Sequence, residues 1–156
     1  MPIVAPGIVV AIAVYAFFIK LQIVGSWLAF ILAHTLIALP FVIVTVSSAL
    51  STFDRRLELA AGSLGASPLR TMLRVTIPII MPGILSGAVF AFVTSFDEVV
   101  VALFIQSPTL YTLPIMMWRS VTSEIDPTIA AASTLLIVVT TALILIPQLV
   151  RRSSND

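Results

Sequence analysis

From Leu21 to Phe53 the chain runs for 33 residues without an Asp, Glu, Lys or Arg. No other feature constrains the fold so strongly. A helix needs about 20 apolar residues to cross the hydrocarbon core of a bilayer, and inside it the backbone N–H and C=O groups must find partners within the protein. The run is long enough for one such helix with a connection to spare. Three further stretches have the same character: Ile3–Ile19, Gly83–Ile105 broken only by Asp97 and Glu98, and Pro127–Val150. Only 10% of the chain is charged and 60% is hydrophobic, against about 25% charged residues in an ordinary soluble domain. The expectation is an all-α fold, a polytopic integral membrane helix bundle with about four transmembrane helices, the whole of residues 1–156 forming one transmembrane domain. The second span is placed near Trp27–Val46, with Trp27 as an interfacial anchor and a kink at Pro40.

Several function classes drop out at once. The absence of cysteine excludes disulfides and thiolate metal sites, and a net charge of +1 gives no basic field for nucleic acid. No phosphate-binding GxxxxGK[ST] loop occurs. No metal-ligand cluster, and no Ser or Cys nucleophile paired with a base, argues for an enzyme, so neither a metal nor a cofactor is expected. No basic segment precedes the first apolar run, and no removable signal peptide is read.

Four crossings place residues 54–82 and the C-terminus on the same side. That side carries Arg55, Arg56, Arg70, Arg74, Arg151 and Arg152, against Lys20 and Arg119 on the other. The positive-inside rule makes the arginine-rich side cytoplasmic, with both termini facing it. Trp118 and Arg119 read as an outer-interface anchor, and Glu124 with Asp126 as part of an external loop.

A plain connection in a helix bundle takes about 2–8 residues, whereas the 54–82 segment has 29 and carries its own helix signals. Asp54 can cap a short helix with Leu57, Ala60, Ala61 and Leu64 on roughly one face, and Gly65 is a natural C-terminal stop. Ser67 as N-cap and Pro68 at the first helical position open a second helix through Leu69, Met72 and Leu73. Two readings are open on physical grounds. The pair lies on the bilayer with its arginines toward lipid phosphates, or it is a docking knob for a cytoplasmic partner.

The stretch ELAAGSLGASPLRTMLRVTIPIIMPG, Glu58 to Gly83, resembles the EAA loop of ATP-binding-cassette importer permeases. That pattern is Glu-Ala-Ala, three residues, Gly, nine residues, and an Ile-x-Leu-Pro end. Ala60, Ala61, Gly65 and Pro78 match at the right spacing, with Val75 and Ile77 as conservative replacements. The position of the motif glutamate is Leu59, and the nearby carboxylate is Glu58, about 100° around the helix. The resemblance implies that Glu58, Leu59, Ala60, Ala61, Gly65, Ala66, Ser67 and Pro68 belong to a coupling helix seated in a groove of an ATP-binding subunit.

Asp97 and Glu98 interrupt the third apolar run. As part of one continuous helix, Asp97 would lie about 12 Å inside its end, where a charge facing lipid costs about 2.5–3.5 kcal/mol. Three roles are open. The helix breaks near Ser95 and the carboxylates pair with a basic group or water; they relay protons; or they line a path for a cationic solute, with Phe90, Ser95 and Phe96 as neighbours. Phe90, Asp97 and Phe104 recur at heptad spacing, and an aromatic face beside a carboxylate suits an alkylammonium group. Gly83, Gly87, Ala91 and Ser95 put a small residue at every fourth position, a stripe that lets another span or a second permease approach closely. His34 is read as a buried histidine satisfied by a neighbouring carbonyl.

The likeness extends along the chain, through MPIVAPGIVVAIAVY, AHTLIALPFVIVTVSSAL, SFDEVVVALFI, TLPIMMW and DPTIAAASTLLIV, and is closest to permeases of the spermidine/putrescine type. It implies a bacterial inner-membrane subunit working by alternating access, with a homodimer of ATP-binding subunits, a second permease, an extracytoplasmic solute-binding protein and membrane lipid as partners. Such permeases usually have about six spans, and Met1 falls where the third begins, so the chain is expected to lack the first two. The alternatives are the same machinery for another solute, such as ferric ion or thiamine, and an inactive membrane scaffold.

Overall fold

Proline, glycine and two carboxylates decide where the helices of this chain start, bend and stop. The computed structural model describes residues 5–123 and 130–142. Its helices are α1 (Gly7–Lys20), α2 (Trp27–Ser51), α3 (Arg56–Ser63), α4 (Pro68–Thr71), α5 (Ile77–Phe96), α6 (Val100–Ile105) and α7 (Leu113–Ser123), followed by α8 (Ala130–Ala142). Among the described residues there is no β-strand, only an isolated bridge between Ser107 and Leu110. The protein is an all-α polytopic membrane protein, as its hydropathy requires.

Among the described residues two helices are long and apolar enough to span a bilayer. One is α2, 25 residues that continue through Pro40. The other is an unbroken helix of 29 residues, Pro68–Phe96, made of α4, a π-helical turn at Met72–Thr76, and α5. At 1.5 Å per residue it is about 43 Å long, more than a hydrocarbon core of about 30 Å. Two shorter apolar helices, α1 and α8, accompany them. Of the fourth expected span, α8 is the described part; its two ends, and Glu124, Asp126, Arg151 and Arg152, lie outside the described residues.

The third span differs from the expectation. It begins at the connecting segment rather than at Gly83, and it ends at Phe96 rather than Ile105. Hydropathy sees one apolar run, but hydrogen bonding divides it. The Asp97 N–H still donates to the Val93 carbonyl, and then the Glu98 carboxylate accepts the Val101 N–H at 2.7 Å. That bond takes up a free donor in the first turn of α6, and the chain restarts as a separate short helix. Phe90 and Phe104 therefore sit on different helices, and the heptad that joined them through Asp97 does not exist.

Close contacts divide the chain into two units, residues up to Ile37 with those from Val93 on, and Ala38–Phe92. In the first, Ala11, Val14 and Phe18 of α1, Ala29, Phe30 and Ala33 of α2, Val101, Ala102 and Ile105 of α6, and Ile115 of α7 form one apolar core. Tyr15 meets Phe104 edge to face with centroids 5.9 Å apart. The turn between α1 and α2 is tied to this core where the Gly25 N–H donates to the Ile105 carbonyl at 3.0 Å. In the second unit α5 lies close against α2. A Cβ at Gly83 would overlap the Ala49 methyl, and one at Gly87 would overlap the Thr45 hydroxyl and stand 3.3 Å from the Val42 Cα. Small residues at these two positions permit the approach. Ala91 follows one turn later, half-buried.

Candidate functional site

The 54–82 segment builds its helix pair from local chemistry. The Asp54 carboxylate accepts the Arg56 N–H at 2.9 Å and opens α3. At the other end the Ala66 N–H donates to the Ala61 carbonyl and the Gly65 N–H to the Gly62 carbonyl. This pair of bonds is the Schellman closure, and it needs a left-handed residue. Gly65 supplies it with φ +81°. Ser67 then caps α4, its hydroxyl accepting the Arg70 N–H, and Pro68 sits in the first turn.

The helix opened by Ser67 does not stop at Pro78. A π-helical turn carries it into α5, closed by the Ile77 N–H donating to the Met72 carbonyl. Proline has no N–H for the carbonyl four residues back and its ring crowds that carbonyl; the wider π turn just before Pro78 accommodates both. The second helix of the connecting segment and the span are thereby one rod, Pro68–Phe96.

α3 packs against α4 and the π turn. Glu58 and Ala61, three residues apart, are half-buried, and the Thr76 hydroxyl donates to the Glu58 carboxylate at 2.7 Å. The outward face is apolar: Leu59 is 71% exposed and Leu64 89%, with Leu57 and Ala60 also exposed. The one-residue shift of the glutamate has a structural consequence: the acid turns inward and position 59 presents a leucine outward. All four arginines of the segment, Arg55, Arg56, Arg70 and Arg74, are exposed.

Around the break in the third apolar run, the structure treats the two carboxylates differently. Glu98 is half-buried and engaged with α6, whereas Asp97 is exposed. Ser95, at the end of α5, is hydrogen-bonded to His34 of α2, Oγ to Nδ1 at 3.0 Å. This corrects the expected carbonyl partner for His34. The Ser95 hydroxyl has lone pairs and a rotatable O–H, so it can pair with the ring nitrogen in either tautomer. His34 also stacks on Phe30, with ring centroids 6.0 Å apart. Phe90 is 55% exposed on α5, and Phe96 is half-buried at its end.

Sequence reasoning missed a cleft of about 260 Å³ in the first unit, lined by Trp27, Phe30, Ile31, His34, Leu110, Tyr111 and Thr112. The Thr112 hydroxyl is buried there with no hydrogen-bond partner. Trp27, Phe30, Ile31 and His34 are spaced i, i+3, i+4, i+7, a face legible in the sequence; the contribution of Tyr111 and Thr112 was not. Beside the cleft Arg119 lies over the Tyr111 ring, 5.4 Å from its centroid, and donates to the Gln106 side chain at 2.7 Å.

Comparison with known proteins covers almost the whole chain. It is 35% identical over 152 residues to the spermidine/putrescine transport system permease protein PotC of Haemophilus influenzae, a match covering 97% of this chain and 59% of the relative. It is 36% identical over 142 residues to the putrescine transport system permease protein PotI of Escherichia coli, covering 87% and 50%. The molybdenum transport system permease protein ModB of Mycobacterium bovis is 32% identical over 161 residues, covering 94% and 60%. The chain thus spans between half and three-fifths of the length of these relatives. The sequence pattern of the binding-protein-dependent transport system inner membrane components matches residues 1–155, and the chain belongs to that family.

Proposed function

We propose that the chain is a transmembrane permease subunit of an ATP-binding-cassette importer for a small cationic solute, a polyamine such as spermidine or putrescine. The observation that carries the transport role is the capped helix pair of 54–82, whose second helix is fused without a break to the α5 span. A free loop dissipates a push; a rod transmits it. The apolar outward face of α3, led by Leu59 and Leu64, is the docking surface for one of a pair of ATP-binding subunits. Glu58, Ala60, Ala61, Gly65, Ala66, Ser67 and Pro68 shape and present it. Closure of the ATP-binding subunits moves this element and tilts the spans, so that substrate delivered by an extracytoplasmic binding protein is released inward between this chain and a second permease. ATP chemistry resides in the partner.

The polyamine class rests on the likeness to PotC and PotI and on Asp97, an exposed carboxylate at a helix break. In our reading Asp97 faces the path, with Phe90, Ser95 and Phe96 lining it and Glu98 holding the break. The relative named for molybdenum transport keeps a different solute as the second reading. The protein sits in a bacterial inner membrane with the 54–82 segment and both termini cytoplasmic, the side that the four exposed arginines favour.

The test is co-purification from membranes with the ATP-binding subunit of its own gene neighbourhood, using the native chain and Gly65→Pro. Proline cannot take the left-handed φ of Gly65, so the native chain is expected to retain the subunit and the variant to lose it. Uptake by the reconstituted complex then compares radiolabelled putrescine with molybdate and ferric ion. Failure of the native chain to retain the subunit would leave the scaffold reading; saturable uptake of molybdate alone would overturn the polyamine assignment.

A further inference from the structure

α3 packs on α4 and the π turn, and two further connections join it to the span. One is the backbone through the Gly65 turn, which has open space where a Cβ would stand. Among the described residues one side-chain hydrogen bond joins α3 to the Pro68–Phe96 rod, that from Thr76 to Glu58 at 2.7 Å. At this length the hydroxyl and the carboxylate oxygen make a well-formed hydrogen bond. Thr76 is 8% exposed, and it is the last residue of the π turn, two before Pro78. π-bulges and prolines are where helices bend, so a pull on Thr76 acts where the rod yields most easily.

We propose that the Glu58–Thr76 hydrogen bond is the strut through which displacement of α3 reaches the foot of the α5 span, making both residues positioning residues for coupled transport. This rests on the coupling role proposed above and adds to it a division of labour. The exposed leucines of α3 meet the partner, and the acid one position away faces inward and passes the movement on. An acid at 58 is thus not a displaced docking residue.

The experiment uses the full chain in lipid with its ATP-binding subunit and a reporter that does not depend on the solute. Leu85 of α5 is 48% exposed and the chain has no native cysteine, so Leu85→Cys reports span movement as its thiol-labelling rate with and without ATP. In the otherwise native chain ATP should change that rate several-fold. Thr76→Val, which keeps the shape and removes the hydroxyl, should abolish the change while the ATP-binding subunit still co-purifies, and Thr76→Ser should restore it. A native-size response in Thr76→Val overturns the strut. If Thr76→Val does not accumulate, the double variant Glu58→Leu/Thr76→Val leaves no unpaired polar group and is read by the same criterion: loss of the response supports the strut, and a native response overturns it. Absence of the ATP-binding subunit from the native preparation is a different failure, that of the coupling role itself.

Discussion

Asp97 and Glu98 are neighbours in sequence with opposite surroundings. The Glu98 carboxylate accepts the Val101 N–H, filling one of the donors that every helix start leaves open. Losing a side-chain cap costs about 0.5–2 kcal/mol, so Glu98→Ala should lower the unfolding midpoint in detergent. Asp97 is exposed, and Asp97→Asn should leave that midpoint in place while reducing putrescine uptake tenfold or more. Normal uptake by Asp97→Asn would remove it from the path. The sequence showed that two carboxylates in an apolar run needed a purpose, and a helix break near Ser95 was one of the readings it left open. What it did not show was which acid served the break, because a cap depends on backbone geometry that hydropathy does not encode. The His34–Ser95 bond was hidden for a related reason: 61 residues separate the partners, and no local periodicity joins them.

At the scale of elements, legibility followed the range of the interactions. The turn at Gly65 and the cap at Ser67 were readable because each is decided within about six residues, by a φ only glycine adopts easily and by a hydroxyl ahead of a proline. The boundaries of the third span were not. A window of hydropathy reports how apolar a segment is, and α5 and α6 are both apolar; the π turn that fuses α4 to α5 has no hydropathy signature at all. The close approach of α2 and α5 yields a prediction of its own. A leucine at Gly87 meets the Thr45 hydroxyl and the Val42 backbone, and overpacking of this kind costs about 1–3 kcal/mol. Gly87→Leu should lower the unfolding midpoint in detergent. Gly62→Ala, in α3 with nothing within 4 Å of its added methyl, should leave it unchanged or raise it. Equal midpoints for Gly87→Leu and the native chain would mean that α2 and α5 do not meet there.

For the molecule as a whole, orientation depends on the distribution of charge between loops. The exposed Arg55, Arg56, Arg70 and Arg74 cluster around one connection, while the 107–112 turn between α6 and α7 has no charged residue. Arg119 is held beside that turn by Gln106 and Tyr111, so its charge is partly engaged. The retention of basic loops on the cytoplasmic side then predicts opposite accessibility for Ser63, at the end of α3, and Thr109, both exposed. Because the chain contains no cysteine, Ser63→Cys and Thr109→Cys each create a single label site. In intact spheroplasts a membrane-impermeant maleimide should modify Thr109→Cys and spare Ser63→Cys until the membrane is opened. The reverse pattern would place the α3 leucines outside the cell, beyond reach of any ATP-binding subunit. Labelling of both without permeabilisation would mean that the intervening chain does not cross the bilayer an odd number of times.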